Sequence, residues 1–322
     1  MNYESYGNLT SGAGEGSARV SGLIAATSTA KALVPQTACV DRAGTAFGCP
    51  FDFLGNRFVY VVISPRARGL SVGVDFNPDK QCNYKCVYCE IDRSVPARES
   101  AIDLNVLFDE LTRTLEMLHG SELRDRPFFK NCAPELLKLQ HVTLSGSGEP
   151  TLSPQFAEAV EVVAHVRART RFPFFKVVLV TNGTGLERTE VTEALRLLTP
   201  QDEVWFKLEA GTDAYMQKVN LPDRTIDELT DLAVRFSRQR PITVQSLFPA
   251  VDGKGPDDAE IQAYAERLGS IVQRGGRINL VQIYSATRPS PAVNRPAHLP
   301  LKRLTYIAQV VRNVTGLKAE VF

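Results

Sequence analysis

Cys82-Asn83-Tyr84-Lys85-Cys86-Val87-Tyr88-Cys89 holds three cysteines with three and then two residues between them, directly after a strand-like run at 70–76. Thiolates so spaced can wrap one corner of a cubane iron–sulfur cluster and leave its fourth iron without a protein ligand. The spacing also suits a zinc knuckle completed from afar by Cys132 or His141, because zinc accepts both thiolate and imidazole. A third reading is a plain electron-transfer cluster, for which Cys132 is the long-range candidate as fourth ligand. An iron left open is a place for chemistry, whereas the other two sites are closed.

The sequence around the motif alternates strand with helix. A leading strand at 58–63 and a second at 70–76 are rich in Val, Ile and aromatic residues. Asp103 caps a helix in which Leu104, Leu107, Leu111, Leu115 and Leu118 recur at helical spacing, with Gly120 at its end. A strand at 141–145 leads to a helix opened by Ser153-Pro154, and a strand at 176–181 to a short helix from Thr189. After a strand at 203–209, Thr225 and Glu228 form a capping box for a helix through Phe236. Strand 242–248, helix 257–272, strand 278–284, helix 301–314 ended by Gly316, and a short strand at 317–322 complete the chain. Such repetition predicts an α/β fold with a parallel sheet and right-handed crossovers, here a partial (β/α)6 TIM-like barrel. The expected organisation is an N-terminal extension over 1–57, the barrel over 58–288, and a C-terminal loop, helix and short strand packing on it over 289–322. The first 35 or so residues are rich in Gly, Ser, Thr and Ala, too poor in large apolar groups to order themselves.

Composition narrows the function classes. At 322 residues and 43% hydrophobic content the chain can bury a large core in one barrel domain. Its 37 basic and 36 acidic residues are interspersed and give no overall electrostatic footprint for nucleic acid. No apolar run is long enough to cross a membrane and the first residues lack a secretory pattern, so a soluble, cytoplasmic protein is expected. Six cysteines, three in one motif and the others at Cys39, Cys49 and Cys132, do not form a disulfide framework. A second cluster built from those last three is an open alternative.

In parallel α/β folds the ligand sits at the carboxyl ends of the strands, so the cysteine loop falls at that end. Ser145-Gly146-Ser147-Gly148-Glu149-Pro150 follows the next strand; its glycines let backbone approach a ligand closely, while its carbonyls and the Glu149 carboxylate can accept from an ammonium group. Thr181-Asn182-Gly183 forms another polar strand end. Period-two alternation puts Trp205, Lys207 and Glu209 on the inward face, with Gln245, Gln282 and Tyr284 inward on the next two strands. Lys207 and Glu209 are the candidate catalytic pair, and they could equally pair with each other for structural reasons. Arg66 and Arg68, before the first barrel strand, read as solvated surface residues.

The cysteine motif, the Gly-Ser-Gly-Glu-Pro element and the polar strand ends together resemble the radical S-adenosylmethionine enzymes. The resemblance implies a six-unit barrel and two cofactors: a 4Fe-4S cluster on Cys82, Cys86 and Cys89, and S-adenosyl-L-methionine bound at the open iron. It also implies reductive cleavage to a 5′-deoxyadenosyl radical. Tyr88 would lie near the adenine, and Ser145, Gly146, Gly148 and Glu149 would hold the methionine amino group. Thr181 and Asn182 would meet its carboxylate or the ribose, with Lys207, Gln245 and Gln282 as further cofactor contacts. Ser147 stands where that family usually has a second glycine. The wording Asn77-Pro78-Asp79-Lys80-Gln81-Cys82-Asn83-Tyr84 and Lys207-Leu208-Glu209-Ala210-Gly211 is similar to the wyosine-synthase-like iron–sulfur oxidoreductases. The namesakes of that group condense pyruvate carbons onto an N-methylguanosine in tRNA, using a lysine and a second cluster. The expected partners are a small-molecule or nucleoside-like substrate and a reductant such as flavodoxin or ferredoxin, with tRNA as the alternative substrate and a zinc-binding adaptor as the non-enzymatic one.

Overall fold

The computed structural model describes residues 53–120, 122–126, 129–169, 173–286, 290 and 296–322. Most of the expected 1–57 extension, with Cys39 and Cys49, lies outside these residues, as does part of the loop at 287–295.

Eight strands form one sheet in simple chain order: β1 (Val59–Ser64), β2 (Gly69–Asp75), β3 (Leu139–Ser145), β4 (Lys176–Thr181), β5 (Glu203–Lys207), β6 (Ile242–Leu247), β7 (Ile278–Tyr284) and β8 (Ala319–Val321). The leading strand β1 runs antiparallel to β2, and every later neighbour pair is parallel. Strands β2 to β7 with their helices are the six predicted units of a partial barrel, and β8 adds a parallel edge. The helices are α1 (Leu104–His119), α2 (Phe156–Arg169), α3 (Thr189–Ala194), α4 (Asp213–Val219), α5 (Ile226–Gln239), α6 (Asp258–Gln273) and α7 (Leu301–Thr315).

Local chemistry sets these boundaries. The Asp103 carboxylate accepts from the Asn105 and Val106 amides at the start of α1, whose Leu107, Leu111 and Leu115 are fully buried. Removing each of those leucines from water contributes roughly 1.5–3 kcal/mol. Thr225 and Glu228 make the full capping box on α5, and Gly316 closes α7 in the left-handed conformation at φ 70°. Gly120 differs from expectation: it ends α1 in extended backbone at φ −76°, its N–H still donating to the Glu116 carbonyl. Strand β5 stops at Lys207, two residues short of the predicted end, and α4 fills what reads in the sequence as a loop.

Alternation along the strands separates the two faces of the wall. On β3, Val142 and Leu144 are fully buried under the helices, while His141, Thr143 and Ser145 line the interior. Inside, Ser71 and Thr143 share a hydrogen bond of 2.7 Å, and the His141 and Trp205 rings meet edge to face at 5.3 Å.

Among the described residues the sheet does not close through a strand ladder, since β1 and β8 are its two ends. The β1–β2 turn bridges the gap instead. Arg68 pairs with Glu320 of β8 at 2.7 Å, and the Arg66 guanidinium lies over the Tyr284 ring at 4.2 Å. Arg68 is exposed, as expected. Arg66 is not a solvated surface residue: the turn folds across the open side and carries its side chain into the interior, where it lines the cavity.

Candidate functional site

The cysteine loop leaves β2 at Asp75, whose carboxylate pins two loops at once. It accepts from the Asn77 amide at 2.9 Å, from the Ser147 amide at 2.8 Å and from the Ser147 hydroxyl at 2.6 Å. Burial pushes its pKa up, and those bonds partly offset the shift. Ser147 thus supplies a hydroxyl that joins the β2 and β3 ends. Gly148 packs directly on the residue before the first cysteine: a Cβ there would lie 1.7 Å from the Gln81 carbonyl oxygen. The Glu149 amide donates to that same carbonyl at 3.0 Å.

Glu149 is 3% exposed. Its Oε1 accepts from the Thr151 amide at 3.1 Å, the Thr151 hydroxyl at 2.7 Å and the Thr181 hydroxyl at 2.5 Å, and its Oε2 from the Asn182 amide at 2.7 Å. This carboxylate is therefore engaged by the chain itself, and the backbone of Gly146 and Gly148 lines the cavity beside it. Burial raises its pKa against those bonds. Asn182 continues the network, its side-chain amide donating to Asn83 Oδ1 at 2.9 Å between the first two cysteines.

Above β5, the Tyr88 hydroxyl and the Asn220 amide both donate to Glu209 Oε2. Lys207 Nζ lies 3.7 Å from Glu209 Oε1 and 5.1 Å from the centre of the Tyr88 ring. Burial opposes the Lys207 ammonium, but Glu209, Tyr284 and the nearby cysteines outweigh it and raise its pKa. The Asn220 amide also reaches Cys86 Sγ at 3.5 Å, and Arg93 donates to Cys89 Sγ at 3.1 Å. Burial lifts the Cys86 thiol to about 11 and pushes Cys82 up as well.

These groups surround two adjoining cavities. A smaller one of about 140 Å³ is lined by Cys82, Cys86, Tyr88, Ser145, Gly146, Gly148, Glu149, Thr181, Asn182, Lys207 and Glu209. A larger one of about 400 Å³ shares Cys82, Cys86, Tyr88 and Lys207 with it, adds Cys89 and Gln245, and runs down the interior to His141 and Arg66. The expected site residues are thus brought together with one exception. Gln282 is buried beside Gln245, its register partner on β6, which donates to it at 3.4 Å, and it reaches neither lining. The expectation missed Asp75, Asn77, Arg93 and Asn220. Asn220 ends the unforeseen helix α4, and no motif announces it; Arg93, four residues past Cys89, was legible as a cation beside a thiolate.

Three cysteines facing one cavity, two of them receiving N–H bonds, form a donor set that could hold an iron–sulfur cluster. Burial disfavours the Cys82 and Cys86 thiolates, and a bound cationic cluster would offset that. A zinc knuckle through His141 fits poorly. His141 pairs with Ser71, four positions before the Asp75↔Ser145 pair at the rim, so it sits roughly 13 Å down the wall at about 3.3 Å per residue. Among the described residues, no three Cys, His, Asp or Glu side chains are gathered closely enough for one metal ion, and no helix is long and apolar enough to cross a membrane.

The fold is shared with known structures. A radical SAM methyltransferase from Sphaerobacter thermophilus aligns with TM-score 0.56 at 18% identity over 82% of this chain and 68% of that one. SuiB of Streptococcus suis, bound to S-adenosylmethionine, aligns with TM-score 0.52 at 13% identity over 76% of this chain and 49% of that one. In sequence, a UPF0026 protein of Helicobacter pylori is 27% identical over 187 residues, which are 56% of this chain and 52% of that protein; the chain thus spans about half the length of such curated relatives. Residues 77–268, more than half of the chain and the whole region from the cysteine loop to α6, match the Radical SAM superfamily, and the chain belongs to that superfamily.

Proposed function

We propose that the chain is a radical enzyme in which Cys82, Cys86 and Cys89 hold a 4Fe-4S cluster and the adjoining cavity takes S-adenosylmethionine. The observation that carries this reading is the convergence of the three cysteines with the β3, β4 and β5 strand ends on two adjoining cavities, Cys82 and Cys86 lining both and Cys89 the larger. When bound, the cluster supplies the electron that splits S-adenosylmethionine into methionine and a 5′-deoxyadenosyl radical, which takes a hydrogen atom from the substrate.

The chain's own residues then have separable tasks. Asp75 and Glu149 fix the loops around the cysteines rather than touching a ligand with a free charge. The backbone of Gly146 and Gly148, which lines the smaller cavity, offers polar atoms for an amino-acid head group. Tyr88 presents a ring whose hydroxyl is held by Glu209, a surface suited to a flat base. Lys207, charged and 27% exposed, is the group best placed to meet a ribose, a substrate carbonyl or a carboxylate. Arg93 and Asn220 direct N–H groups at the sulfurs and stabilise them as thiolates.

The substrate class proposed is a small-molecule or nucleoside-like compound, with a one-electron donor such as flavodoxin or ferredoxin. The even balance of 37 basic and 36 acidic residues argues against tRNA and hence against the wyosine-type reaction. The test is anaerobic purification and cluster reconstitution, reduction with dithionite in the presence of S-adenosylmethionine, and assay for 5′-deoxyadenosine. Wild type should form it and Cys86→Ala should not. A wild-type protein that retains zinc, shows no cluster absorbance and makes no product would overturn the proposal.

A further inference from the structure

The interior of the barrel carries a cation with no paired carboxylate among the described residues. Arg66 Nε is buried without a hydrogen-bond partner, and the guanidinium rests on the Tyr284 ring, 4.2 Å from its centroid. Among the described residues no carboxylate pairs with it. The other cations facing the same cavity are engaged: Lys207 with Glu209, and Arg93 with Cys89 Sγ. Glu90, which also lines the cavity, has a partner of its own. His141 faces Arg66 as a neutral imidazole, its pKa driven down by burial and by Lys176 and Arg66.

Arg66 is half-buried, and its buried, unpaired Nε–H is costly unless something supplies the missing acceptor. The Tyr284 ring holds the guanidinium over its face and supplies no acceptor to the Nε–H, and a guanidinium fork is suited to two parallel bonds to a planar or tetrahedral oxyanion. The cavity of about 400 Å³ connects this fork to the cysteines. We propose that Arg66 anchors an oxyanion of the substrate, a carboxylate or phosphate group, inside the barrel, with the rest of the substrate extending toward the cysteine loop. This rests on the reading of the interior as the substrate site, and it narrows the substrate class to small anions.

The test is anaerobic calorimetric titration of the reconstituted full chain with pyruvate, malonate and inorganic phosphate, a panel that separates carboxylate from phosphate recognition. Fluorescence of Trp205, the chain's single tryptophan and the neighbour of His141, reports whether binding occurs in the interior. Wild type should bind at least one anion saturably with a change in Trp205 emission. Arg66→Gln should weaken that binding tenfold or more, and Arg66→Lys, which keeps charge but not the fork, by less. Arg68→Gln, on the exposed side of the same turn, should leave it unchanged. Absence of saturable binding by all three anions, equal affinity in wild type and Arg66→Gln, or heat without a Trp205 response would each overturn the proposal. Because the titration reads no turnover, anion binding without 5′-deoxyadenosine formation would sink the radical reading and keep the anchor, and the reverse result would do the opposite.

Discussion

The Thr181 hydroxyl donates to Glu149 Oε1 at 2.5 Å, tying the end of β4 to the loop that follows β3. The same hydroxyl oxygen accepts from the Gly183 amide at 2.9 Å, so one side chain organises two turns. Thr181→Val keeps the shape and removes both bonds, leaving Glu149 with its bonds from Thr151 and Asn182. A loss of about 1–2 kcal/mol is expected for a buried bond to a charged acceptor, read from the urea midpoint at unchanged slope.

Gly148→Ala should be far more damaging than its one carbon suggests. The new Cβ meets backbone at 1.7 Å, and relieving that overlap means moving Gln81 and with it Cys82. The expected cost is about 1–3 kcal/mol for an overpacked site, together with reduced iron per chain after reconstitution. Gly269→Ala on α6, where the nearest atom is 3.7 Å away, is the matched control and should be neutral or slightly stabilising. Equal iron content in the two variants would contradict the role given to Gly148.

Arg93 acts on the cluster site from outside the set of cysteines. Arg93→Leu removes the N–H on Cys89 Sγ and should weaken iron retention about 10- to 100-fold, as loss of outer-shell partners typically does. The measurement is the rate and midpoint of iron release to a chelator. Folding of the apo protein, followed by its circular dichroism, should change little.

His141 gives the fold a defined acid sensitivity. Its folded pKa of about 3 lies below the ordinary value of 6.5 because burial disfavours the imidazolium, aided by Lys176 and Arg66. The unfolded state therefore takes up the proton first. The stabilising contribution is complete above the ordinary pKa and is lost as pH falls toward the folded one, by up to about 1.4 kcal/mol per pH unit. Between pH 7.5 and 5 wild type should lose about 2 kcal/mol more than His141→Gln does. Asp75 and Glu149, whose pKa values are raised, act in the opposite direction and cancel in that difference. Parallel stability curves for the two proteins would rule the assignment out.

The six-unit barrel was legible because its signals are local: Asp103, the Thr225–Glu228 capping box and Gly316 mark helix ends by short-range chemistry, and alternation sorts the strand faces. The three cysteines and the polar strand ends were legible for the same reason. What was not legible depends on contacts distant in sequence. Asn220 serves Cys86 and Glu209 only because α4 brings it there, and Glu149 is consumed by Thr181, 32 residues away. Arg66 looks like any surface arginine until the turn that carries it crosses the open side of the sheet. Gln282 pairs with Gln245 across the β6–β7 ladder and does not reach the cavity lining.

The Arg68–Glu320 pair across the seam has a consequence for how the protein behaves in a crowded solution. An open sheet exposes two unpaired edges, each a template for another chain's strand. Here the curl of the sheet turns β1 and β8 toward one another, and a charged turn straddles the space between them, so an incoming strand meets the Arg68–Glu320 ion pair before it meets free backbone. A fastening made of ions is weakened by salt, as a ladder is not; rising ionic strength should therefore bring self-association of the folded protein before it brings unfolding.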